Sequence, residues 1–330
     1  MCALQTIKGR GRQTHWLQMG YPLVKEVLTM HAWEAIQTTL DYIETHMDEE
    51  LKIEALAEQA ALSPFYYQRL FSRLVKKPVR EYIRLRRLAR ASTKLREGDA
   101  RILDIALDCG FGSHEVFSRT FKDAYRLTPA QYREHPVALN QFDKPDLLLN
   151  YVLIDEGAPL ISEGLVLEMN RRQLGEPVRF MGISGYVPID GQMPLGEDTG
   201  VDIPGEIWER FHGEKHRIPR VTDSREVGVA YMGDAPEGCF TYFTGAEVGS
   251  GAGADGFMTW ELPAREYVVC GFEAESFEEL VTAALNKAVK YSAQWLEHKG
   301  LTMEAYSPEI YYQREQAVPY MELWMPAEKK

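Results

Sequence analysis

Ile53 to Tyr82 reads IEALAEQAALSPFYYQRLFSRLVKKPVREY, and Leu103 to Tyr132 reads LDIALDCGFGSHEVFSRTFKDAYRLTPAQY. The two stretches are one pattern written twice. Arg69 and Arg119, Phe71 and Phe121, and Tyr82 and Tyr132 each lie 50 residues apart. Each copy begins with a short helix, turns, and reaches a serine, Ser63 or Ser113, suited to cap a second helix. Pro64 at the first position of that helix strengthens the signal in the first copy. A helix, a turn and a second helix with Arg at matching positions is a helix-turn-helix, and its duplication predicts two DNA-reading helices on one chain.

Outward from the repeat, Trp33 to Thr45 carries apolar residues at 33, 36, 40 and 43, a helical stripe. Between the copies, Val79 to about Glu97 reads as one long helix closed by Gly98. At about 1.5 Å per residue it spans roughly 27 Å, close to the roughly 34 Å between successive major grooves on one DNA face. Residues 1–135 hold 21 Lys and Arg against 17 Asp and Glu; the remainder holds 16 against 32. The net charge of −12 therefore hides a basic first half and an acidic second half. A local basic face is enough to hold phosphates. The four cysteines form no CxxC pair and fit reduced thiols of a cytosolic protein. No long apolar run suggests a membrane span. His212 and His216 are interrupted by Gly213 and read as a surface pair, not as metal ligands. No cofactor motif is found.

Four segments follow: an N-terminal extension over 1–32 of disordered character, a helical domain over 33–136, a linker over 137–163 and a second domain over 164–327. In that last segment the period shifts toward 2. Strands at Leu165–Arg171 and Val178–Tyr186, a helix near Ile203–His212, and strands at Glu226–Met232 and Phe240–Val248 recur as strands, helix Phe277–His298 and strands. The expected fold is an all-α double helix-turn-helix domain, then an α+β domain of two pseudo-symmetric hairpin–helix–hairpin halves joined by Gly249–Gly256. A pocket is expected at the seam between halves.

On the reading helices, Phe65, Gln68, Arg69 and Arg73 of the first and His114, Glu115, Val116 and Arg119 of the second are the expected DNA contacts. Tyr67, Leu70, Phe71, Phe117 and Phe121 are expected in the core. The tract Asp104 to Arg133 is close to the signature of AraC/XylS-type transcription regulators, which residues 33–135 resemble. The resemblance implies that each reading helix enters one of two adjacent major grooves, through Phe65, Gln68 and Arg69 on the first and His114, Glu115, Val116 and Arg119 on the second.

In the acidic half, pairing Gln313 with Val318 places Glu309 opposite Glu322. Alternation then groups Glu309, Tyr311, Tyr320, Glu322 and Trp324 on one face, with Ile310, Tyr312, Met321, Leu323 and Met325 on the other. Two carboxylates among aromatic rings suit an organic cation; solvated acids on an open strand face are the alternative. Residues 164 to 327 resemble a gyrase-inhibitor-like (GyrI-like) effector-binding domain through IWERF at Ile207, FTYFTGAEV at Phe240, ELPAREYVV at Glu261 and SPEIYY…YMELWMPA at Ser307. That resemblance implies a ligand cavity at Glu309, Glu322 and Trp324; Trp208, Phe211, Tyr231 and Tyr242 are further lining candidates, with a place in the core as the alternative for each. The chain is thus expected to be a cytoplasmic, non-enzymatic regulator with double-stranded DNA and a hydrophobic cationic effector as partners. RNA polymerase is a further expected contact; monomer and homodimer both stay open. Two other readings stand beside it: a hydrolase or sequestering protein using the same glutamate, and a regulator whose second half is a protein-interaction surface.

Overall fold

The computed structural model describes residues 31–189, 196, 197, 199–219, 221, 225–304, 306–312 and 318–329. Residues 1–30 of the expected extension lie outside them. Seven helices follow: α1 (Ala32–Thr45), α2 (Ile53–Gln59), α3 (Pro64–Val75), α4 (Val79–Glu97), α5 (Ile102–Asp108), α6 (His114–Tyr125) and α7 (Pro129–Glu134). The duplication extends to the backbone. Ser63 and Ser113 each accept a hydrogen bond from the N–H three residues on, Tyr66 and Val116. α3 and α6 both end on a left-handed cationic residue, Lys76 (φ 63°) and Arg126 (φ 62°). Its N–H returns to Ser72 or Lys122, which closes the last turn.

α4 belongs to both copies. Its first half buries Val79, Tyr82, Ile83 and Leu85 with Tyr67 and Phe71. Its second half buries Leu88, Ala91 and Leu95 with Phe117, Phe121 and Tyr132. Two small cores thus share one rigid rod, and the spacing of the reading helices is set by it. Several of its arginines work inward. Arg86 pairs with Glu44 at 2.9 Å and donates to the Phe142 carbonyl at 2.6 Å. Arg87 donates to the carbonyls of Met47, Glu49 and Gly110, so it staples one copy to the other.

The stretch expected as a linker is a packed strap. Val137 and Leu139 pack on the second helical core, Phe142 and Leu147 enter the first, and Leu149 enters the core of the following domain. The strap holds a two-residue strand β1 (Leu139–Asn140), a 3₁₀ turn (Leu148–Asn150) and β2 (Pro159–Ser162), which is already an edge strand of the next domain's sheet. The sheet domain therefore begins at 159, ahead of the expected 164.

After β3 (Leu165–Gln173), β4 (Val178–Pro188) and the short β5 (Gly200–Val201) comes α8 (Ile203–Glu214) with a 3₁₀ turn at Lys215–Arg217. β6 (Arg225–Tyr231), β7 (Cys239–Glu247), β8 (Met258–Leu262) and β9 (Glu266–Glu273) follow. A short α9 (Phe277–Glu279) runs through a π turn (Leu280–Ala284) into α10 (Leu285–His298). β10 (Leu301–Met303), β11 (Glu309–Tyr312), β12 (Tyr320–Met325) and β13 (Ala327–Lys329) complete the chain. β10 pairs with β13, and nine strands form one antiparallel sheet in the order β2-β3-β9-β12-β11-β6-β7-β4-β8.

The pseudo-symmetry is present: β4-α8-β6-β7 and β9-α10-β11-β12 are the same motif, joined at the β11–β6 pair. The leading hairpins are not. β3 does not pair with β4 but with β9 of the other half, and β8 pairs with β4, not with β9. Each half lends its first strand to its neighbour. α10 buries Leu285, Ala288, Tyr291, Trp295 and Leu296 at helical spacing against the sheet. Each large apolar side chain so covered contributes roughly 1.5–3 kcal/mol. α8 covers the other half of the same face with Ile207 and Phe211. The opposite face closes on itself around Phe180, Phe243, Tyr267 and Trp324.

Candidate functional site

Two faces of the protein carry chemistry. On the helical domain, Phe65 is 76% exposed and Val116 43% exposed, although both are apolar and sit at helix starts. Gln68, Arg69, Arg73, His114, Glu115 and Arg119 are exposed as well, while Tyr67, Leu70, Phe71, Phe117 and Phe121 are buried. Among the described residues, Arg69, Arg73 and Arg119 form no salt bridge, which leaves their guanidinium groups available to an external anion. Between the two heads lies a groove of about 550 Å³ lined by Arg80, Arg84 and Arg87 of α4 and Val116 and Thr120 of α6. Asp48, Glu49 and Glu50 form its other wall. Glu115 sits in the first turn of α6, where the Ser113 hydroxyl holds its carboxyl below the ordinary range.

The second face is the helix-covered side of the sheet. Its register corrects the sequence reading. Glu309 lies opposite Leu323, and Ile310 opposite Glu322. Gln313, which the expected pairing used, lies outside the described residues. A shift of one residue moves every side chain of a strand to the other face. Glu309 and Tyr311 therefore share the helix-covered face with Met321 and Leu323, while Glu322, Tyr320 and Trp324 point to the opposite one with Ile310 and Tyr312. Tyr231 also belongs to that opposite side, and Phe211 is fully buried beneath α8. The physical reason is that β12 is held from both sides, by β9 and β11. Satisfying two apolar cores at once fixes its parity, whereas the turn alone does not.

The two carboxylates have opposite characters. Glu322 is 3% exposed and saturated. It accepts from Arg172 at 2.8 Å, from Trp324 Nε1 at 2.8 Å, from the Tyr320 hydroxyl at 2.7 Å and from the Tyr312 hydroxyl. Burial works against its charge, but these donors outweigh it and hold the carboxyl below its ordinary range. Such a group is a structural anion, and Arg172 also covers the Trp324 ring at 5.2 Å.

Glu309 keeps partial exposure and has only neutral donors. The hydroxyls of Tyr311 and Tyr242 reach its Oε2 at 2.8 and 3.1 Å. Burial pushes its carboxyl up to about 7, the two hydroxyls pull it back, and Asp202 nearby raises it further. Trp208 of α8 donates to the Tyr242 oxygen at 2.9 Å and meets the Tyr311 ring edge-on at 4.9 Å. Gly228, directly opposite Glu309 on β6, leaves the room for this cluster. A Cβ there would collide with the Tyr242 oxygen and stand 2.9 Å from Glu309 Oε2. Asp202 caps α8 through the Gly205 N–H at 3.1 Å. Sequence reasoning passed over both Gly228 and Asp202. Gly228 carried no local signal, but Asp202 followed by Ile203-Pro204 is a legible helix start. Further along the same face, Glu226 is neutralised by Lys215 at 2.7 Å and approached by His212 at 3.4 Å. Among the described residues no group of three His, Cys, Asp or Glu is placed to hold a metal, and no helix is long and apolar enough to cross a membrane.

Comparison with known proteins finds a match for each of the two domains. Residues 56–135 match a helix-turn-helix domain model and residues 175–328 match a GyrI-like small molecule binding domain. Regulatory protein SoxS of Salmonella typhimurium is 39% identical over 100 residues, 30% of this chain and 94% of SoxS. An uncharacterized HTH-type transcriptional regulator of Bacillus subtilis, YbfP, is 42% identical over 104 residues, 32% of this chain but 35% of YbfP. The solved DNA-binding domain of AdpA in complex with a target DNA covers 30% of the chain, and 90% of its own, at 24% identity and a TM-score of 0.30. The chain thus belongs to the AraC-type helix-turn-helix transcription regulators, with a GyrI-like small-molecule-binding domain behind its DNA-binding helices.

Proposed function

We propose that α3 and α6 read two segments of one DNA face, and that a hydrophobic organic cation binds over Glu309 in the seam between α8 and α10. On the DNA side, Phe65, Gln68, Arg69, Arg73, His114, Glu115, Val116 and Arg119 form the contact set. The observation that carries the ligand reading is the contrast between two carboxylates in one sheet, Glu322 buried and Glu309 half-buried. Glu322 already holds an arginine and three further donors. Glu309 holds only hydroxyls, is reachable by solvent, and is ringed by Tyr242, Tyr311 and Trp208. A desolvated carboxylate with no cationic partner gains most from a ligand that brings the missing charge, and the rings add cation–π attraction.

Tetraphenylphosphonium titrated against tryptophan fluorescence tests this directly. Glu309→Gln weakens binding at least tenfold at pH 8, while Glu322→Gln leaves it within threefold. Equal affinities for wild type and Glu309→Gln reject the carboxylate role. Turnover of an ester or epoxide panel by wild type, lost in Glu309→Gln, would instead favour the hydrolytic reading.

A further inference from the structure

The ligand seam has a physical connection to one reading head. We propose that occupancy of the Glu309 site is relayed to the second head through α8 and a two-residue strand pair between β5 and β1. This rests on the ligand reading above. The relay begins at Glu309, which takes a hydrogen bond from Tyr242, which in turn takes one from Trp208 of α8. The first turn of α8 is then seated on the chain that leaves the second head. Asp202, its N-cap, donates its backbone N–H to the Ala138 carbonyl at 2.8 Å. Immediately before it, β5 pairs with β1, Val201 opposite Leu139 and Gly200 opposite Asn140. Leu139 and Val137 pack on the core that supports α6, and β5 itself touches α6.

Gly205 shows how close this seating is. A Cβ at that position would lie 2.8 Å from the Ala138 Cβ and 2.5 Å from Asp202 Oδ2. Glycine is a poor helix former, and here its missing side chain is what lets the two segments meet. Among the described residues, the first head makes no such backbone hydrogen bond to the start of α8. Its links to the sheet domain run through the strap, whose Phe142 and Leu147 enter its core and whose Tyr151 stacks on Trp33, and through Gln37, Asp41, Lys144 and Glu163, with Glu163 also taking Lys287 of α10. The ion pairs among these links are partly exposed and individually weak. A displacement of α8 thus acts first on residues 114–140.

Hydrogen–deuterium exchange of the full chain reads the relay without needing an operator. In wild type, tetraphenylphosphonium changes exchange across α6, α7 and β1 by severalfold while α2 and α3 change by less than half as much. In Gly205→Ala, fluorescence still reports binding within threefold of wild type, but the change at α6 to β1 is lost. An equal response of both heads, or a bound probe with no response at 114–140, overturns the proposal. A ligand-free arm separates it from the ligand reading. With nothing bound, Gly205→Ala alone raises exchange at β1 and α7 and leaves α2 and α3 unchanged. Its failure to do so refutes the relay even where the probe binds; absence of probe binding in wild type refutes the ligand reading alone. Should Gly205→Ala fold poorly, Ala138→Gly loosens the same contact more gently and is read in the same way.

Discussion

Replacing Glu309 by Gln separates the electrostatic cost of the site from its packing. The amide keeps the shape of the side chain and an acceptor for the Tyr242 and Tyr311 hydroxyls, and removes only the charge. In the folded chain the carboxyl titrates at about 7, against 4.5 for a free glutamate. Between these values the folded state holds a proton that the unfolded state has lost. Wild-type stability therefore declines as pH rises from 4.5 to about 7 and is level above that. Each pH unit of the window corresponds to about 1.4 kcal/mol, so full burial would set a ceiling near 3 kcal/mol; solvent screening of the exposed part brings the expectation to ~1–2 kcal/mol. The variant has no proton to lose there. Urea denaturation of both proteins at pH 5 and pH 8, followed by fluorescence and circular dichroism together, measures the difference. Its stability relative to wild type should increase by ~1–2 kcal/mol between the two pH values. A difference that stays constant with pH would show that Glu309 is ionised at no cost, and the case for a charge-seeking ligand site would fall with it.

Three further outcomes are expected. Tetraphenylphosphonium affinity should rise as pH increases through about 7 in wild type and stay flat in Glu309→Gln, measured by fluorescence titration; a flat wild-type profile contradicts charge pairing. Arg119→Ala should weaken DNA binding by about 1–3 kcal/mol in a gel-shift assay, and wild-type affinity should fall steeply with added salt; unchanged affinity would mean that α6 reads DNA with another face. Arg86→Ala leaves Glu44 without its ion pair and the Phe142 carbonyl without its donor. A loss of about 3 kcal/mol in thermal or chemical stability is expected, and a loss under 1 kcal/mol would show that the strap is not anchored there.

The helical half was legible in the sequence because its determinants are local. Ser63 and Ser113 announce helix starts, aromatic residues mark the two cores at a fixed interval, and the exposed arginines fall on the remaining surface. The sheet was legible as elements and not as a topology. β3 and β4 are consecutive strands with a short connection, so sequence favours a hairpin; the actual partner of Leu165–Gln173 is Glu266–Glu273, in the other half of the domain. Parity at Glu309 failed for a related reason. Ile310 and Tyr311 are both large and apolar enough to face a core, and each face of β11 has one. Only the simultaneous pairing with β6 and β12 decides which goes where. Alternation put Glu309 and Tyr311 on one face, but the separation of Tyr320 and Glu322 onto the opposite face required three-dimensional information.

The position of β12 has a consequence for synthesis. This strand, nearly the last of the chain, lies between β9 and β11 in the middle of the sheet. The helical domain, whose contacts are short in sequence, is complete long before that strand leaves the ribosome. During that interval the nascent chain carries a helical domain attached to a sheet that lacks one of its inner strands. A premature stop before β12 would make that transient state permanent: a DNA-binding domain joined to a small-molecule-binding domain whose sheet cannot close.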